Sequence, residues 1–133
     1  MKEEFGMQLD KNHFSKAEMM QFTIDTFESC FGNDIELMDS RYSNEVGGYY
    51  HLEYHYLPKK YKIVFEHEKL FFSIRIIRED GAFTSINQIC DGDIKNGLRE
   101  ENINDAIEKL ANNLNKSTIL FYKIKNNKLV EKK

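Results

Sequence analysis

The sequence predicts an α+β domain: an antiparallel sheet of five to six strands with an N-terminal and a C-terminal helix packed on one face. Near both ends of the chain, apolar residues recur at the three- and four-residue spacing of an amphipathic helix. The middle alternates between apolar and polar residues with the two-residue period of strands, and turn signals interrupt it at short intervals. Runs of strands bracketed by helices are typical of α+β domains.

Length and composition fit a single domain over residues 1–133, of which 41% are hydrophobic and 31% charged. We expect flexible ends at residues 1–13 and 126–133. No apolar run approaches the ~18 residues of a membrane span, so we expect no membrane association. The first residues lack the apolar stretch of a signal peptide, and Cys30 and Cys90 are isolated, as in proteins with reduced thiols. We therefore expect a cytoplasmic protein.

The first helix is predicted over residues 15–31. Ser15 and Glu18 have the spacing of a capping box, in which each side chain hydrogen-bonds to the other residue's backbone amide. Gly32 is a natural end for this helix. Apolar residues at spacings of four, three and four give the helix one core-facing stripe, formed by Met20, Ile24, Phe27 and Phe31.

Five strands are predicted in the middle of the chain, at residues 35–38, 49–57, 61–66, 70–78 and 82–86. The intervening residues 40–48 have the composition of a loop, whereas Pro58 and the Asp80-Gly81 pair are signals for tight turns. Alternation within the longer strands predicts the inward-facing residues Tyr50, Leu52, Tyr54, Tyr56, Leu70, Phe72, Ile74 and Ile76.

The second helix is predicted over residues 102–116, with Asn102 as its N-cap, and a last strand follows at residues 119–125. The apolar stripe of this second helix is formed by Ile103, Ala106, Ile107, Leu110 and Leu114. Because both helices have a single apolar stripe, we expect both to cover the same face of the sheet. The opposite face is then left without a predicted cover.

Charge is distributed unevenly along the chain. The net charge is −3, but residues 1–55 carry −7 and residues 56–133 carry +4. An overall acidic chain without clustered lysine and arginine argues against a nucleic-acid partner. The uneven distribution is most simply explained by a solvated surface and a basic C-terminal tail, with a protein partner of complementary charge as the alternative.

The nearest approach to a metal site is His51, Glu53 and His55, which alternate along one strand and so point the same way. Three side chains in one straight row do not converge on an ion without help from a neighbouring strand. The row also lacks the helical His-Glu-x-x-His pattern of zinc proteases. We therefore predict a polar outer face and neither a metal nor any other cofactor, with this row as the alternative.

No catalytic motif is present, so the sequence predicts a protein that is not an enzyme. Tyrosine and arginine are enriched at binding hot spots, and several surround the flexible glycine pair at 47–48. The residues predicted to contact a partner are Arg41, Tyr42, Glu45, Tyr49, His51, Glu53, His55 and Arg75. The alternative for the first four is an ordinary long hairpin loop.

The capped helix at 15–31, the strand meander at 49–86 and the late helix at 102–116 together resemble the small cytoplasmic immunity proteins of Gram-positive polymorphic toxin systems. The abundance of lysine, asparagine, isoleucine and tyrosine is similar to that of low-GC Gram-positive proteins. The resemblance implies an antitoxin that binds a cognate toxin domain and blocks it sterically and electrostatically. It assigns no role to any individual residue.

Two alternatives stand beside this interpretation. A curved sheet under helices could enclose a small-molecule pocket lined by Tyr54, Tyr56, Phe65 and Phe72. A metal-dependent enzyme would use His51, Glu53 and His55.

Overall fold

The computed structural model describes residues 16–43, 48–90, 94–114, 119–125 and 128–132. These residues form three helices: α1 (Lys16–Phe31), α2 (Ile86–Ile89) and α3 (Glu100–Asn113). They also form seven strands: β1 (Ile35–Ser43), β2 (Tyr49–Tyr56), β3 (Tyr61–Glu68), β4 (Phe71–Ile77), β5 (Phe83–Ser85), β6 (Phe121–Lys125) and β7 (Lys128–Lys132). The predicted α+β class, with its antiparallel sheet, is confirmed.

All seven strands belong to one antiparallel sheet, whose strand order is the order of the chain from β1 to β7. Tight turns connect β2 through β5, whereas α2 and α3 lie between β5 and β6. Lys60, Lys69 and Gly81 adopt positive φ angles of 58°, 60° and 91° in the turns that lead into β3, β4 and β5. Each strand is therefore hydrogen-bonded to the strands that precede and follow it in the chain.

The hydrophobic core lies between one face of the sheet and helices α1 and α3. Phe27 of α1 is fully buried, with its ring centroid 4.4 Å from that of Tyr54 and 6.1 Å from that of Phe65. Ile103 and Ile107 of α3 belong to the same cluster of buried side chains. We call this side of the sheet the helix face and the opposite side the outer face.

The structure corrects the predicted strands in two places. Residues 40–43 were expected in a loop but complete β1, and residues 128–132 were expected in a flexible end but form β7. Both are edge strands in which most described side chains are exposed, so they lack the alternation that marks the central strands. The sheet therefore has seven strands instead of five to six.

Two local predictions also fail. Leu70 was expected to point inward, but it occupies the turn before β4 and is 69% exposed. Asn102 was expected to cap the second helix, but α3 begins at Glu100 with Arg99 as its N-cap. The Asn102 side-chain amide donates to the Gly97 carbonyl oxygen at 3.1 Å and ties the preceding loop to the helix. Ser15, the predicted cap of α1, lies outside the described residues.

No helix in the described part of the chain is both long enough and apolar enough to cross a membrane. Cys30 is half-buried and Cys90 is buried, and the two are not joined by a disulfide. Burial, with a smaller contribution from the Glu108 carboxylate, raises the pKa of the Cys30 thiol.

One buried hydrogen bond joins α1 to the sheet. The Thr23 hydroxyl lies 2.9 Å from the Tyr50 hydroxyl, and it also donates its single proton to the Met19 carbonyl oxygen at 2.8 Å. The Tyr50 hydroxyl must therefore be the donor in the pair, with Thr23 as the acceptor. Burial raises the pKa of Tyr50 well above its usual range, so the phenol keeps this proton.

This assignment predicts unequal costs for removing the two partners. Thr23→Val leaves the buried Tyr50 donor without its acceptor and should cost about 1–3 kcal/mol of unfolding free energy. Tyr50→Phe removes only the donor and should cost less, about 0.5–1.5 kcal/mol. Urea denaturation of both single variants and the double variant measures the difference, and Thr23→Val should cost less in the Tyr50→Phe background. Equal single costs, with no coupling, would contradict the assignment.

Candidate functional site

The outer face is the best candidate for function, because no described helix lies on it. Strand register places the polar ends of several neighbouring side chains together there. Across β1 to β4, this face is formed by Glu36, Asp39, Arg41, Ser43, Tyr49, His51, Glu53, His55, Lys62, Val64, Glu66, Glu68, Phe71, Ser73, Arg75 and Ile77. His51 and Val64 are nevertheless buried, since the larger side chains around them shield both from water.

Most of the predicted partner-contacting residues share this face. Register and alternation place Arg41, Tyr49, His51, Glu53, His55 and Arg75 on it. Tyr42 does not join them, because it pairs with Tyr50 and so lies on the helix face, at its exposed edge. Glu45 lies outside the described residues.

The structure replaces one member of the predicted metal row. His51 and Glu53 lie close to Asp39 of β1, with one potential donor atom of each residue within 4.8 Å of the others. His55 is not part of this group; it lies one step further along β2, opposite Glu36 and Lys62. We call Asp39, His51 and Glu53 the carboxylate–histidine cluster.

A β-bulge explains why the sequence did not reveal Asp39. Register shifts between Leu37 and Asp39, so Met38 is the extra residue and Asp39 pairs directly with Glu53. Simple alternation from Glu36 would have put Met38 on the outer face and Asp39 on the helix face. Nothing in the local composition of β1 marks the bulge, which is therefore visible only in the structure.

His51 lies between two carboxylates. Its Nε2 is 3.5 Å from Glu53 Oε1, and its Nδ1 is 3.5 Å from Glu66 Oε2. Glu66 is itself held from two sides, by the Tyr49 hydroxyl at 3.4 Å and by Arg75 Nη2 at 3.5 Å. The imidazole is thus oriented by a network that spans β2, β3 and β4.

Two cations hold the carboxylates of the cluster. Arg41 Nε is 2.9 Å from Asp39 Oδ2, and Lys62 Nζ is 3.4 Å from Glu53 Oε2. The exposed cations limit the repulsion between the carboxylates, although exposed pairs of this kind contribute at most about 1 kcal/mol each to stability.

An open groove of about 530 Å³ lies at one end of the outer face. Tyr49, Glu66 and Phe71 line it, together with the turn before β4. Phe71 is 58% exposed, and the adjacent Leu70 is exposed as well. Neither residue was predicted as a site, because alternation in a single sequence does not distinguish an exposed apolar residue from a buried one.

The predicted small-molecule pocket is filled by the core. Its four expected lining residues, Tyr54, Tyr56, Phe65 and Phe72, are all almost fully buried. Phe27 packs on Tyr54 and Phe65, and Phe31 packs on Tyr56. These aromatic rings therefore hold α1 on the sheet and do not form the wall of a shared cavity.

Comparison with protein-family models, with curated proteins and with solved structures gives no match for this chain. The interpretation of the outer face therefore rests on its own geometry and chemistry.

The contact between Tyr49 and Glu66 has a measurable consequence. Burial, and then the charge and hydrogen bond of Glu66, raise the pKa of Tyr49. Glu66→Gln should lower this pKa, because it removes the negative charge that opposes the phenolate. A larger fraction of Tyr49 should then be ionised at a given alkaline pH.

Absorbance titration of phenolate formation, with the matching Tyr49→Phe protein subtracted in each background, measures this change. Glu36→Gln is the matched control, because it removes a carboxylate from the same face that does not contact Tyr49. An unchanged Tyr49 pKa in Glu66→Gln would show that Glu66 does not act on the phenol.

Proposed function

We propose that this protein is an immunity protein that binds a toxin domain through its outer face and blocks it. The observation that carries the proposal is the outer face, on which no helix of the described residues lies and which combines exposed apolar side chains with ordered charges. A blocking protein needs affinity and shape and requires no catalytic group of its own.

The groove supplies the apolar anchors for such an interface. Leu70, in the turn before β4, and Phe71, the first residue of β4, are both exposed, and Tyr49 lines the groove beside them. Aromatic anchors surrounded by polar groups are characteristic of binding hot spots. The carboxylates of Glu66 and Glu68 line the same groove and would pair with basic side chains of the partner.

The distribution of charge across the sheet supports a basic partner on the β1–β3 side. Strands β1 to β3 carry five acidic and two basic side chains, whereas β4 to β7 carry one acidic and five basic ones. Because the strand order follows the chain, the charge asymmetry of the sequence becomes a gradient across the molecule. A toxin domain with a basic active-site surface would be drawn to the β1–β3 side, and complementary charge mainly accelerates association.

The decisive experiment expresses the domain encoded by the adjacent reading frame, which the proposal expects to be a toxin, and measures its binding to this chain. Isothermal titration calorimetry should give a one-to-one complex, and the chain should inhibit the toxin's activity at the same ratio. Leu70→Ala and Phe71→Ala should each weaken binding at least tenfold, or about 1.4 kcal/mol, because both remove groove anchors.

Leu57→Ala is the matched control, since Leu57 is also an exposed leucine in a turn but lies at the opposite ends of the strands. It should leave affinity unchanged. Ile124→Ala tests the exposed apolar residue of β6, on the basic side. If Ile124→Ala or Leu57→Ala weakens binding as much as Leu70→Ala, the groove is not the interface; if the toxin domain does not bind at all, the proposed function is wrong.

A further inference from the structure

The carboxylate–histidine cluster has the composition of a metal site. Imidazole and carboxylate groups are both ligands of first-row divalent cations, with imidazole suited to Zn²⁺ and carboxylate to Mn²⁺. Their donor atoms approach one another within 4.8 Å, and the residues come from two adjacent strands. We propose that Asp39, His51 and Glu53 bind a divalent transition-metal cation. This proposal does not rest on the proposed toxin partner.

The state of His51 is the second observation that points to a ligand. His51 is 8% exposed, although it lies on the face that no described helix covers. Its Nε2 faces the cluster at 3.5 Å from Glu53 Oε1, whereas the buried Nδ1, which has no hydrogen-bond partner among the described residues, faces Glu66. That distance exceeds the 2.7–3.2 Å of a good hydrogen bond. A cation between Nε2 and the Glu53 carboxylate would satisfy both groups.

Glu66 is placed to orient the histidine for this role. The ring nitrogen of a metal-bound histidine that does not contact the metal usually donates to a carboxylate or a carbonyl. Here Nδ1 faces Glu66 Oε2 at 3.5 Å, and a small rotation of the ring completes that hydrogen bond. Donation from Nδ1–H leaves the lone pair on Nε2, the nitrogen beside Glu53.

The β-bulge supplies the third ligand. Without the extra residue Met38, Asp39 would not pair with Glu53, and the cluster would contain only two ligands. Bulges are over-represented beside functional sites because they redirect a side chain without changing the rest of the strand. The bulge in β1 redirects a carboxylate to the position that a straight row of His51, Glu53 and His55 could not fill.

Only small movements are needed to close the site. Metal–ligand bonds of about 2.0–2.2 Å bring neighbouring donors to roughly 3–3.5 Å from one another. The donors here lie within 4.8 Å, so a shift of about 1 Å by the carboxylates suffices. Asp39 is partly exposed, with 40% of its side-chain surface accessible, so its carboxylate has room to move and water can complete the coordination.

The test uses chain stripped of metal with a chelator, then dialysed against Zn²⁺ and, separately, against Mn²⁺. Metal analysis should find one ion per chain for at least one of the two cations. Asp39→Asn and Glu53→Gln should each weaken binding at least tenfold. Glu66→Ala should weaken it by about 10- to 100-fold through the orientation of His51, which is the range found for such outer partners.

The adjacent cross-strand pair provides the control. Glu36 and His55 face each other one step along the same two strands, on the same face, but outside the cluster. Glu36→Gln and His55→Gln should leave the affinity unchanged. In ¹⁵N spectra, the cation should shift the Nε2 resonance of His51 and leave that of His55 in place.

Three results would overturn the proposal. The first is the absence of stoichiometric binding by either cation at about 1 mM. The second is an equal loss of affinity in the control variants, and the third is unchanged affinity in Asp39→Asn and Glu53→Gln. Circular dichroism of each variant confirms its fold, and Asp39→Asn, at a partly exposed position on an edge strand, gives the cleanest comparison.

Discussion

The packing of α1 on the aromatic side chains of β2 and β3 is the interaction on which the rest of the molecule depends. Phe27 packs at a tilt against Tyr54 and edge-to-face against Phe65, and the Thr23–Tyr50 hydrogen bond fixes the helix beside them. Aromatic rings bury a large apolar area at little cost in conformational entropy, so a few of them hold a long helix in place. Because α1 and α3 use the same face, no helix of the described residues lies on the opposite face.

The meander topology gives the sheet an electrical asymmetry from one edge to the other. In a sheet whose strand order differs from the chain order, the acidic first half and the basic second half of the sequence would interleave. Here the order is preserved, so acidic side chains collect on β1 to β3 and basic ones on β6 and β7. A net charge of −3 therefore describes this molecule poorly, since its two sheet edges would attract different partners.

The sequence was sufficient to predict which face a side chain occupies in regular strands with one buried face, because burial there makes apolar residues alternate with polar ones. Tyr50, Leu52, Tyr54 and Tyr56 were predicted to share the inner side of β2, and all four are buried. Alternation no longer predicts the face of a side chain where the backbone contains a bulge or a turn. The bulge at Met38 moves Asp39 to the other face, and the turn before β4 exposes Leu70, and neither departure has a signal in residue type alone.

The candidate site was predictable only to the same extent. Two of the three cluster residues, His51 and Glu53, were identified from their alternation on β2, because that strand is regular. The third required knowledge of which residue of a neighbouring edge strand lies opposite Glu53. Edge strands are exposed on both faces and pair on one side only, so neither hydrophobic alternation nor a partner strand beyond them constrains their register.

Glu66 belongs to both proposed sites of the outer face, the cation site and the groove. Its Oε2 faces His51 and accepts from Tyr49, so the same carboxylate supports the cluster and lines the groove. A cation that draws His51 toward Glu53 would change the position of Glu66, and with it the wall of the groove. Substitutions at Glu66 should therefore affect both cation and partner, whereas those at Asp39 act on the first and those at Leu70 on the second. If cation binding changes the affinity for the toxin domain, linkage requires the toxin domain to change the affinity for the cation by the same factor.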